Sequence, residues 1–142
     1  MTSYETIFNR FSQKITDFKL LELSDDDVYE MMLSWLKSSI AKFRRCKNDL
    51  SLRDDEIGSF TVDLLDQEIE ILATLMVSEW LAPQLNSVLY TSQFFGGKEE
   101  KFFAQANQLD KLITLQHKND ILAQKLMRDY GYQNLIWNRE GS

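Results

Sequence analysis

The stretch DQEIEILATLMVSEWLAPQ, residues 66–84, decides the fold of this chain. Ile69, Leu72, Ala73, Met76, Trp80 and Leu81 recur at steps of three and four, so they line one face of a helix. Ile71, Leu75 and Val77 widen that face well beyond a narrow stripe. Such a helix needs cover on most of its circumference, from other helices of the chain or from a neighbouring subunit. No residue around it has the look of a catalytic apparatus, and by itself the stretch indicates an interaction protein without naming its task.

The boundaries of this helix follow from its flanks. Asp66, Glu68 and Glu70 put negative charge in the first turns, where the positive end of the helix dipole favours it. The preceding residue is Leu65, where a polar N-cap would be expected. Pro83 lacks a backbone donor and crowds the carbonyl of Glu79, which predicts a kink or a stop. Periodicity fades over residues 84–98, and SQFFGGKEE sets two aromatics before Gly96 and Gly97, so an extended loop is expected there. Upstream, residues 48–63 are polar and acidic with Gly58 and the triplet Phe60, Thr61 and Val62, which reads as a loop with at most one short strand.

Three further helices complete the pattern. Thr2 and Glu5 have capping-box spacing, and Tyr4, Ile7, Phe8, Phe11, Ile15 and Phe18 form a heavily aromatic face of about four turns. Ser24 followed by Asp25, Asp26 and Asp27 starts a second helix, with Val28, Met32, Trp35, Leu36, Ile40 and Phe43 as its apolar face. A long fourth helix runs over residues 99–130, with a polar interruption at 116–120 that weakens its seam, and Gly131 is placed to cap it in a left-handed conformation. The expected organisation is therefore all-α: a four-helix domain over 1–131, with a long C-terminal helix, an extended loop before it and a docking C-terminal tail over 132–142.

Composition narrows the function. With 142 residues and 44% of them hydrophobic, the chain has the size and apolar content of one ordinary domain. No apolar run approaches the length that spans a bilayer, and the N-terminus MTSYETIFNRF has no signal-peptide pattern, so the expectation is a protein made and kept in the cytoplasm. One cysteine, Cys46, and one histidine, His117, cannot assemble a Cys/His zinc site. The acidic clusters Asp25–Asp27 and Asp54–Glu56 lack the spacing of a calcium loop, and there is no phosphate-binding glycine motif. His117 has no nucleophile or metal motif beside it, whereas basic neighbours could lower the Cys46 thiol pKa. No cofactor, metal or catalytic residue is expected.

Two features suit contact with partners. Lys37, Lys42, Arg44, Arg45 and Lys47 form a basic patch with no acid between its ends, against a net charge of −6 for the whole chain. It suits DNA phosphates, an acidic protein surface or a helix C-terminus equally. Phe94 and Phe95 on the expected loop, and Leu135, Ile136 and Trp137 in the tail, either anchor a partner or fold back on their own domain.

Four segments carry a family resemblance: YETIFNRFSQKITDF, LSDDDVYEMMLSWLKSSIAKFRRC, EIEILATLMVSEWLAP and FFAQANQLDKLITL. In their order and packing pattern they resemble the small helical head-to-tail connector, or head-completion, proteins of tailed bacteriophages, over roughly residues 4–130. The resemblance implies a noncatalytic virion neck protein made in the bacterial host cytoplasm. It implies a homo-oligomeric ring, twelvefold by family analogy, that sits beneath the portal protein, extends the DNA channel and docks the next neck or tail protein. Genomic DNA would pass through without sequence-specific binding. The alternative from the residues themselves is a small cytoplasmic helical regulator that binds DNA or an acidic protein through the basic patch.

Overall fold

The computed structural model describes residues 1–15, 25–95 and 99–140, with side chains at 1–15, 27–86, 107 and 109–133. Its elements in chain order are β1 (Thr2–Ser3), α1 (Tyr4–Lys14), α2 (Asp25–Lys42), β2 (Arg53–Asp54), β3 (Ser59–Phe60), α3 (Asp66–Phe95) and α4 (Glu99–Glu140). The fold is all-α in character, with one small antiparallel sheet of strand order β1-β3-β2. Thr2 pairs with Phe60, and Arg53 pairs with Phe60 from the other side.

Helix α3 is the axis of the molecule and packs against α1, α2 and α4. Ile71, Leu72, Ala73, Leu75, Met76, Val77 and Leu81 are all buried, on every side of the helix, as the width of the apolar face predicts. The aromatic face of α1 closes one flank: Tyr4 meets the Phe60 ring edge-on at 5.0 Å, and Phe11 lies 5.6 Å from Trp35 of α2. Charges on the rim of α3 are paired outward. Arg10 reaches Asp66 at 2.6 Å, Lys14 pairs with Glu70, and Lys42 pairs with Glu79.

Several boundaries differ from the sequence expectations. Ser3, not Thr2, caps α1, its hydroxyl accepting from the Glu5 N–H at 3.2 Å. Thr2 lies in β1, and its hydroxyl receives the Leu64 N–H at 2.9 Å, closing the approach to α3. Helix α1 ends at Lys14, with Ile15 extended after it, and Phe18 lies outside the described residues. The loop over 48–63 contains two strands.

Helix α3 does not stop at Pro83 but runs to Phe95, so Phe94 and Phe95 are helical rather than on a loop. One interior proline costs about 3 kcal/mol through a lost bond and a clash. Continuing the helix keeps Leu85, beyond the proline, packed against the core. Helix α4 likewise passes through Gly131 and reaches Glu140, which places Leu135, Ile136 and Trp137 in its last turns; their side chains lie outside the described residues. Of the described glycines only Gly58 has positive φ, at 76°, in the turn that returns the chain to β3.

These two glycines predict opposite outcomes. Gly131→Ala meets open space and should raise stability by about 0.5–1 kcal/mol, because a helical glycine carries excess entropy in the unfolded chain. Gly58→Ala forces a side chain into the left-handed region and sets its Cβ 3.0 Å from the Tyr29 hydroxyl, and should lower stability by about 1–2 kcal/mol. Urea denaturation of both variants checks the signs.

Candidate functional site

The most heavily built polar site lies at the start of α3. Glu68 is fully buried and is the third residue of that helix. One carboxylate oxygen accepts the Leu65 N–H at 2.7 Å and the Asn48 side-chain amide at 2.6 Å. The other accepts the Tyr130 hydroxyl at 2.8 Å, the Cys46 thiol at 3.1 Å and the Asn48 N–H at 3.4 Å. The Tyr130 hydroxyl in turn accepts the Lys47 N–H at 2.7 Å. Three parts of the chain meet here: the N-terminus of α3, the loop after α2 and the C-terminal half of α4.

This arrangement explains the odd N-cap. Leu65 has no side-chain oxygen to offer, and its carbonyl already begins the helix by accepting the Ile69 N–H at 3.0 Å. Glu68 reaches back to the Leu65 N–H, which is the acidic half of a capping box without the serine or threonine half. Burial alone would raise the Glu68 pKa, but the donors from Leu65, Cys46, Tyr130 and Asn48 outweigh it and hold the carboxyl below its ordinary value. Burial and the neighbouring carboxylate push the Cys46 thiol up to about 12. The thiol is therefore kept protonated as a donor, and the basic neighbours Arg44, Arg45 and Lys47 do not activate it.

A second polar contact joins α3 to α4. Asn119 donates to the Thr74 carbonyl at 2.9 Å and to the Ser78 hydroxyl at 2.6 Å, while Ser78 donates to Asp120 at 2.8 Å. The polar stretch 116–120 thus takes part in the seam by hydrogen bonding instead of weakening it. Between this clasp and α1 lies an apolar groove of about 400 Å³, lined by Ile15, Val77, Trp80, Leu81, Leu115 and Leu122, with Lys14, Lys118 and Asn119 among its polar members.

The basic patch is divided by the fold. Lys37 pairs with Asp55 at 3.2 Å, and Lys42 pairs with Glu79. Arg44, Arg45 and Lys47 are exposed at the end of α2 and form no salt bridge among the described residues. The side chains of Phe94, Phe95, Leu135, Ile136 and Trp137 lie outside the described residues. Among the described residues no group of three His, Cys, Asp or Glu side chains could hold a metal ion, and no helix is long and apolar enough to cross a membrane. In the sequence Glu68 reads only as a helix-dipole charge. The available signal for its larger role was the apolar Leu65 three positions before an acid.

No family model, curated protein or solved structure matches this chain.

Glu68→Gln keeps the shape but replaces an acceptor oxygen by an NH₂ donor among donors. It should cost about 2–4 kcal/mol, since hydrogen bonds to a charged group contribute roughly 1.5–3 kcal/mol each. The native carboxyl titrates below the unfolded one, so its contribution is complete above the ordinary value of 4.5 and is lost as pH falls through the native pKa. Denaturation followed from pH 7 to pH 3 should show the parent losing stability below about pH 4.5 more steeply than Glu68→Gln. Parallel curves would exclude Glu68 as the source.

Proposed function

We propose that this protein is a noncatalytic virion neck adaptor: a helical subunit of a homo-oligomeric ring between the portal and the tail of a bacteriophage. The observation that carries the reading is α4. At 1.5 Å per residue its 42 residues are about 63 Å long, well beyond the width of a core this size. Among its described side chains, at 107 and 109–133, Leu112, Ala123 and Tyr130 are buried and span about 27 Å. Along the same helix Ile113, Leu115, Ile121, Leu122 and Tyr132 are exposed. An apolar side chain of this size gains about 1.5–3 kcal/mol when fully buried, so such a helix is suited to lie between protein surfaces.

Three further considerations support the adaptor. The order of packing segments resembles the head-to-tail connector proteins. A ring subunit uses different patches of its surface for the neighbours on either side, and the exposed apolar side chains of α4 supply one of them. The net charge of −6 keeps DNA from adhering to a channel wall. The regulator reading loses ground because two of its five cations are already neutralised by Asp55 and Glu79.

Light scattering across concentration, with and without the portal protein, tests the proposal. A discrete ring or a stable portal complex is expected, and a persistent monomer indifferent to portal would overturn it. Truncation after Tyr132 removes the last turns of α4 but leaves Tyr130 on Glu68. The truncated protein should remain helical by circular dichroism and assemble poorly, and so should Phe94→Ala with Phe95→Ala.

A further inference from the structure

We propose that the groove between α1 and α4 is a docking site for an acidic amphipathic helix of another protein. Its floor is Val77, Trp80 and Leu81 of α3, and its far wall is Leu115 and Leu122 of α4, which are 53% and 43% exposed. These two leucines are seven residues apart, about 10 Å along the axis, which is the repeat that a helix laid alongside presents.

Beside them stands a row of like charge. Lys111, Lys118 and Lys125 are also spaced by seven, so each is displaced by only about 20° around the helix from the last. All three are exposed, and none forms a salt bridge among the described residues. Lys118 itself lines the groove. Lys14, on the opposite rim, is already neutralised by Glu70. The nearby acid Asp120 accepts from Ser78 of α3, and Asp129 lies one turn beyond Lys125, where the row ends.

Apolar wall and cationic row run in parallel, so the complementary ligand has leucine-like side chains at helical spacing and carboxylates along one edge. A nucleic acid would satisfy the lysines but leave Trp80, Leu115 and Leu122 against phosphate and water. A symmetric pairing of two copies through α4 would set lysine rows against each other. The observations therefore favour a different protein with an acidic helix. The inference does not rest on the virion reading, because a chain that never forms a ring would still bind such a helix.

The test uses the full chain and a labelled, designed helical peptide with leucines at steps of three and four flanked by glutamates, beside a twin carrying lysine in place of glutamate. Fluorescence anisotropy should show saturable binding of the acidic peptide only, weakened by added salt. Affinity should fall at least about tenfold in Lys111→Glu/Lys118→Glu/Lys125→Glu and in Leu115→Ser/Leu122→Ser. These side chains are exposed, so circular dichroism should confirm an unchanged helical content in both variants. Equal binding of the two peptides, or no saturable binding up to about 1 mM, overturns the proposal. Self-association of the free chain that the lysine reversals abolish would assign the groove to a second copy and overturn it as well. Binding that emerges only after Phe18, Leu20 and Leu21 are replaced by serine would assign it to the chain's own 16–24 segment, with the same result.

Discussion

The carboxylate of Glu68 is the constraint on which the rest of the structure depends. A buried charge is costly unless donors surround it, and here those donors come from the helix start, the loop after α2 and α4. If any of the three segments shifted, a charge would remain inside with too few partners. The same group caps α3, keeps Cys46 protonated and holds Tyr130 at one depth. Local structure and tertiary docking are therefore specified by one side chain.

Helix α3 turns that constraint into an architecture. It is apolar on every side, so α1, α2 and α4 can all pack on it, and oil-like contacts alone would leave their register loosely defined. Polar contacts supply the register. Arg10 and Lys14 fix α1 against Asp66 and Glu70, while Asn119 and Asp120 fix α4 against Thr74 and Ser78. Tyr130 adds a second point of attachment for α4. With α4 fixed at two places, its remaining apolar side chains and its lysine row are presented in a defined geometry. Such rigidity suits the docking proposed above, because ordering a mobile helix on binding would weaken a complex.

Much of the core was legible in the chain because helical periodicity survives in a single sequence. Tyr4, Ile7, Phe8 and Phe11, then Trp35, Leu36 and Phe43, lie inside as their spacing indicates. Pro83 predicts a kink or a stop and Gly131 a C-terminal cap, yet the helix continues through each. An interior proline costs a helix about 3 kcal/mol and a glycine about 1 kcal/mol, and beyond Pro83 the packing of Leu85 against the core favours continuation. The hydrogen-bonding role of Asn119 and Asp120 was hidden for another reason. A polar residue on a helical seam reads as a defect until the acceptors on the facing helix are known.

From the sequence by itself came the class of fold, the central place of residues 66–84 and the long final helix. These depend on periodicity, composition and spacing, all of which are local. Only the tertiary structure decided that Leu65 is capped by Glu68 and that Cys46 is a donor rather than a nucleophile. It also divided the basic patch by ion pairs and set Leu115 and Leu122 beside Trp80. The physical reason is the same throughout: a hydrogen bond, an ion pair or a groove is made by groups distant in sequence, such as Glu68 with Tyr130 and Trp80 with Leu122, and no local pattern encodes their meeting.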